Sequence, residues 1–126
     1  MRRLIPALLV TAAMALPGGA FAQDAAAGQR VFNQCRACHT ADQGGRSTVG
    51  PNLWGIVDRR AASVQGFRYS ANMRELAEGG LTWTEDRLRA YIGNPKSVVP
   101  RGSMSYVGLR NETQLNDLMA YLNTLK

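Results

Sequence analysis

Cys35-Arg36-Ala37-Cys38-His39 is the segment of this chain whose residue types and spacing can do chemistry. Two thiols three positions apart near a helix end can each add to a vinyl group on one edge of a haem, and the imidazole that follows then lies below the ring. C-x-x-C-H is the attachment signal for c-type haem, and His is a common proximal ligand of haem iron. Three other uses of these residues compete. A structural zinc site takes four N or S ligands, whereas the whole chain holds two Cys and one His. A thioredoxin-like redox pair wants a preceding strand in a βαβ setting, which the sequence does not offer. A structural disulfide spanning only two residues is unusual.

With His39 as one axial ligand and no second His in the chain, the other ligand must be of another type. A His/Met pair is the ligation of electron-transfer cytochromes. Past residue 22 the methionines are Met73, Met104 and Met119. Met119 belongs to the stripe Leu115, Leu118, Met119, Leu122, whose i, i+3, i+4, i+7 spacing reads as helix core. Met73 lies in a short polar helical stretch, and nothing local aims it at iron. Met104 follows Pro95-Lys96-Ser97-Val98-Val99-Pro100-Arg101-Gly102-Ser103, a loop stiffened by two prolines that can hold a thioether at a fixed height over a ring. Met104 is therefore the expected second ligand.

Helices must position these groups. Asp24 can cap a helix running to about Cys35, with Gly28, Val31, Phe32 and Cys35 on one face. Ser70 opens a short helix that Gly79-Gly80 ends. Thr82 or Thr84 opens another through Leu88, Tyr91 and Ile92, stopped before Pro95. Asn111, with Gln114 three residues on, opens a last helix expected to reach the C-terminus. Residues 40–69 carry turn signals and no sustained period, so they read as ordered loop. No convincing strand or repeat is present. A loop of that length is normally evidence against a compact fold, but a large flat apolar cofactor gives it a surface to pack on.

The chain has 126 residues, a formal charge of +6 and 45% hydrophobic residues, enough for one domain and unlike a disordered or multi-span membrane chain. Its first residues are a different kind of polymer. Arg2-Arg3, an apolar run from Leu4 to Leu16, and Ala20-Phe21-Ala22 form the charged, apolar and small-residue parts of a secretory signal peptide. Residues 1–22 are expected to be cleaved, leaving one haem domain over 23–126 in the bacterial periplasm. The alternative is that the leader is kept as an uncleaved membrane anchor, although the apolar run is short for a spanning helix, which needs ~20 residues. The remaining segment holds 13 basic and 9 acidic residues, or +4. Its apolar content falls to about 40%, lean for a globular domain and in keeping with a core completed by a cofactor.

The sequence resembles class I cytochrome c of the mitochondrial type and its bacterial periplasmic relatives, over nearly the whole of 23–126. Gly28-x-x-x-Phe32, Cys-x-x-Cys-His at 35–39, Gly50-Pro51-Asn52-Leu53-x-Gly55, Tyr69-Ser70, Trp83, Tyr91-Ile92-x-Asn94-Pro95-Lys96, Pro100, Met104 and Asp117-Leu118-Met119-Ala120-Tyr121-Leu122 follow in the family's order. The resemblance implies an all-α fold of 4–5 short helices and long loops around one covalent haem. It implies that Gly28 lets the last helix cross the first closely, with Phe32, Leu118 and Tyr121 at the crossing. It also implies that the Pro51 carbonyl accepts the His39 N–H, a contact that fixes the tautomer and raises ligand basicity. Arg59, Tyr69 and Trp83 match positions that bind or screen the haem propionates, and Tyr91 matches one near the Met sulfur. Two positions depart from the family: its usual propionate-facing Thr is Gly102 here, and its usual Lys near the exposed edge is Ser103. Lys96 and Lys126 are the only lysines, so any basic docking patch is built mainly from arginine.

The expected function is a soluble periplasmic carrier of single electrons, not an enzyme, since His/Met ligation leaves the iron no open position. Basic charge steers such a molecule to acidic docking patches. The expected partners are redox proteins such as a quinol-cytochrome c reductase, a terminal oxidase or reductase, or a dehydrogenase. Nucleic acid is not an expected partner, and the protein is expected to be a monomer. Two other functions compete: a haem subunit of a periplasmic dehydrogenase or sulfur-oxidising complex, and a gas-binding haem protein with five-coordinate iron. The gas-binding four-helix-bundle cytochromes carry their attachment motif near the C-terminus, unlike Cys35–His39.

Overall fold

The computed structural model describes residues 10–12 and 24–126; the leader read over 1–22 lies, apart from 10–12, outside the described residues. Five helices follow one another: α1 (Ala25–Val31), α2 (Ala71–Glu78), α3 (Glu85–Gly93), α4 (Pro95–Val98) and α5 (Glu112–Leu122). A 3-10 turn over Phe32–Gln34 continues α1 toward Cys35. Among the described residues there is no strand, only an isolated antiparallel bridge between Arg60 and Thr82.

The expected caps are in place. The Asp24 carboxylate accepts from the Ala27 N–H, Ser70 Oγ from Met73, Thr84 Oγ1 from Arg87 and Asn111 Oδ1 from Gln114. Each satisfies a donor that the first turn would leave unpaired. Two boundaries differ from the sequence reading. Pro95 begins α4 rather than opening a loop, because a missing N–H costs nothing at the first helical position. The last helix stops at Leu122 because Leu125 turns back into the core and its carbonyl accepts from the Gly55 N–H at 2.7 Å.

Helices α1 and α5 cross at the centre of the fold. A Cβ at Gly28 would collide with the Asp117 carbonyl oxygen, so only glycine permits this approach. Phe32 and Tyr121 pack there with ring centroids 5.3 Å apart, and Phe32 and Leu118 are fully buried. The Asp117 carboxylate also accepts from the Asp24 backbone N–H at 3.1 Å. The two ends of the domain are thereby joined directly.

The core beside this crossing is formed by Ile56, Ala61, Ala77, Trp83, Leu88, Val99, Leu109, Met119 and Leu122. It does not close on itself. Phe32, Ile56, Trp83, Leu88, Leu118 and Leu122 each show part of their surface to a single internal cavity.

Candidate functional site

The cavity encloses about 340 Å³, within the range of small-molecule and cofactor sites, and its walls are mainly apolar. Cys35, Cys38, His39, Pro51, Arg59, Tyr69, Trp83, Tyr91 and Met104 all line it. Residues separated by up to 69 positions in sequence thus meet at one space. Met119 is 1% exposed and does not reach it.

On one side, the turn after the 3-10 segment brings both thiols and His39 to the wall. The His39 N–H donates to Cys35 O at 2.8 Å, and both cysteines are free thiols. Burial, reinforced by the neighbouring Cys38, raises the Cys35 thiol above its ordinary pKa. His39 Nδ1 lies 2.7 Å from Pro51 O, and a carbonyl can only accept, so the proton sits on Nδ1 and the Nε2 lone pair is left for a ligand. Burial lowers the His39 pKa, the Pro51 contact opposes this, and the Arg59 charge lowers it further. The ring is therefore neutral, the form that binds metal. Gly50 lies flat against the imidazole, where any Cβ would strike the ring.

The loop carrying Pro51 is tightly held. Gly50 N–H and Thr48 Oγ1 both donate to Cys38 O, at 2.7 and 2.8 Å. Buried Asn52 donates through Nδ2 to Thr40 Oγ1 (2.8 Å) and Asp42 O (3.0 Å), and its Oδ1 accepts from the Trp54 N–H (3.0 Å).

At another part of the wall, Arg59 donates to Trp54 O at 3.1 Å and Asn52 O at 3.0 Å. The sole ion pair among the described residues joins Arg101 to Glu75, so this half-buried guanidinium meets no carboxylate. Burial lowers its pKa below the ordinary arginine value, with Tyr69 opposing. An unpaired, partly desolvated cation calls for an anion in the cavity. The position is imposed by backbone pairing, since Trp83 N–H donates to Arg59 O and Asp58 N–H to Trp83 O, both at 2.8 Å. Asp58 and Ala62 flank it in the left-handed region, at φ 66° and 54°. Such conformations cost an L-residue about 1–2 kcal/mol. Tyr69 Oη accepts from Val64 N–H at 3.0 Å, and Trp83 stacks on Tyr91 with centroids 4.7 Å apart. Burial raises the Tyr91 phenol pKa.

Met104 enters from the segment after α4. There, a Cβ at Gly102 would press on the Val99 side chain at 2.9 Å. The structure also brings in groups that the sequence reading passed over. Met73, the third residue of α2, lines the cavity, and so do Arg60 and Phe67. The helical position of Met73 gave no sign of this, because α2 meets the cavity through tertiary packing alone.

The residues present fit a covalently held, dianionic, flat apolar cofactor: two thiols and a neutral imidazole at one wall, a thioether from another segment, and an unpaired guanidinium near an indole. Among the described residues no group of three or more His, Cys, Asp or Glu could hold a metal ion, which goes against zinc. Residues 25–126 match the family described as Cytochrome c. The chain is 42% identical over 123 residues to cytochrome c2 of Blastochloris viridis, covering 97% of this chain and 92% of that protein. It is 41% identical to cytochrome c-550 of Ancylobacter novellus over 79% of this chain and 92% of that protein. Among solved structures, cytochrome c2 from Rhodospirillum centenum superimposes with a TM-score of 0.77 at 32% identity, covering 82% of this chain and 98% of that one. Ferricytochrome c2 from Rhodopseudomonas palustris gives 0.74 at 38% identity, over 82% and 99%.

The chain belongs to the cytochrome c family. It is an electron carrier with one covalently bound haem c, and not an enzyme. Its partners are redox proteins.

Proposed function

We propose that residues 23–126 form a monomeric periplasmic domain, released from a signal peptide over residues 1–22, that passes single electrons between redox proteins with acidic docking patches. A quinol-cytochrome c reductase, a terminal oxidase or reductase, and a dehydrogenase are the partner classes this reading favours. Its support is the +4 balance of the segment, which steers encounters with acidic surfaces. No helix among the described residues is long and apolar enough to cross a membrane.

Within the site we assign roles as follows. Cys35 and Cys38 would hold the haem through two thioethers, the product of adding each S–H across one vinyl group, which needs no oxidant. His39 Nε2 and the Met104 thioether would hold the haem iron. Pro51 holds the His39 tautomer through its carbonyl, Arg59, Tyr69 and Trp83 face the propionates, and Tyr91 lies close to the Met104 side. Haem held in this way would supply a one-electron iron couple, and the apolar lining of the cavity would keep water from it. The observation that carries the reading is that the thiols, His39 and Met104, from distant segments, line one apolar cavity.

The test is optical and electrochemical. The oxidised protein is expected to show the long-wavelength thioether–iron band, to resist carbon monoxide when reduced at neutral pH, and to give a reversible one-electron wave. Rapid carbon monoxide binding, or absence of that band, would overturn the axial assignment.

A further inference from the structure

Asn52 and Asn72 are the two buried polar residues among the described residues. Asn52 organises the loop next to Pro51. Asn72 lies on α2, 7% exposed, and its Oδ1 accepts from the Arg101 backbone N–H at 2.9 Å, across 29 residues of sequence. The Arg101 side chain returns to the same helix, donating to Glu75 Oε2 at 3.1 Å. Arg101 thus meets α2 through both its backbone and its guanidinium, three residues before Met104. Beyond it the chain is sparsely tied. Gly102 N–H reaches Val99 O at 3.1 Å, and the next backbone bond is Leu109 N–H to Ile92 O. In between, Tyr106 Oη donates to Gln34 Oε1 at 3.1 Å.

We propose that Asn72 is a positioning residue for Met104, acting through the Arg101 backbone. The proposal rests on Met104 being an axial ligand. Asn72 cannot leave this bond cheaply, because a buried amide oxygen without a donor costs more than the bond itself contributes. The Glu75 contact is exposed on both sides and contributes little. The amide therefore carries most of the attachment. Its loss frees the segment leading to Met104 and makes the thioether easier for an outside ligand to displace.

The test uses the full holo-protein with Asn72→Ala, Asn72→Asp, Glu75→Gln and Met104→Ala. The readouts are imidazole affinity of the oxidised form and hydrogen exchange at the Arg101 amide. Asn72→Ala should bind imidazole about five-fold more tightly, the equivalent of one net hydrogen bond, and exchange the Arg101 amide faster. Asn72→Asp, which keeps an acceptor, should restore both, and Glu75→Gln should leave both within about two-fold. Unchanged affinity and exchange in Asn72→Ala would overturn the proposal. Should that variant fail to fold, Arg101→Pro removes the same bond from its exposed donor side; it has no amide to exchange, so imidazole affinity is its readout, with the same gain of about five-fold expected beyond that of Glu75→Gln and an unchanged affinity again overturning the proposal. Met104→Ala separates the two ideas: if it keeps the thioether band, the axial assignment is wrong, and the Asn72 proposal fails with it even if Arg101 exchange responds.

Discussion

The segment around His39 and the segment around Met104 bring their side chains to the same cavity by different means. Near His39, Gly50, Thr48, Asn52 and Pro51 make short, mutually supporting bonds to Cys38, Thr40, Asp42 and the imidazole. Near Met104, the attachment consists of Val99 in the core, the Asn72–Arg101 bond, an exposed Arg101–Glu75 pair and one tyrosine hydroxyl. His39 is held by a network and Met104 by a few isolated points. One wall of the cavity is therefore rigid and the other adjustable. The sharper consequence is that substitutions of similar size should act on different observables, stability on the first side and ligand strength on the second.

The largest effect should come from Gly50→Ala, whose Cβ has to push the imidazole aside. We expect a loss of at least about 3 kcal/mol, at the upper end for overpacking, read as a lowered thermal midpoint and a disturbed low-spin spectrum. A normal midpoint would break the comparison. Asn52→Ala removes three side-chain hydrogen bonds and should cost about 2–3 kcal/mol in denaturant unfolding, at roughly 1 kcal/mol each. Met104→Ala should be survived better: covalent haem is retained, carbon monoxide binds quickly to the reduced form, and the reduction potential falls, because a thioether ligand raises it. Voltammetry with an unchanged potential would show that another group ligates the iron. The smallest effect belongs to Glu75→Gln, less than about 0.5 kcal/mol for an exposed pair, and a larger shift in chemical denaturation would mean that the Met104 side is more firmly held than described.

Much of this was legible in the sequence because the signals were local. Asp24, Ser70, Thr84 and Asn111 cap helices through bonds to residues three positions away, and each cap is where the side-chain chemistry requires it. The nine expected site residues all reach the cavity wall. What escaped the reading depends on distance in sequence. Met73 sits in a polar helix whose pattern says nothing of a cavity, and Asn72 looks like an ordinary helix residue until Arg101 arrives beside it. The end of α5 was misplaced for the same reason, because Leu125 leaves the helix to meet Gly55. Arg59 was suggested by resemblance alone. Its unpaired state needed the positions of every carboxylate around it.

The crossing of α1 and α5 also has a consequence in time. Asp24 and Asp117 lie 93 residues apart, so the crossing cannot close until α5 has been made and, for a chain exported as proposed above, delivered across the membrane. Until then the bare glycine face of α1 has nothing to close against. Cys35 and Cys38, a few residues further on, remain accessible through the whole interval. The fold shuts last at the helix that seals its centre, which leaves an early, open period in which a bulky group can be joined to the thiols before any wall forms around it.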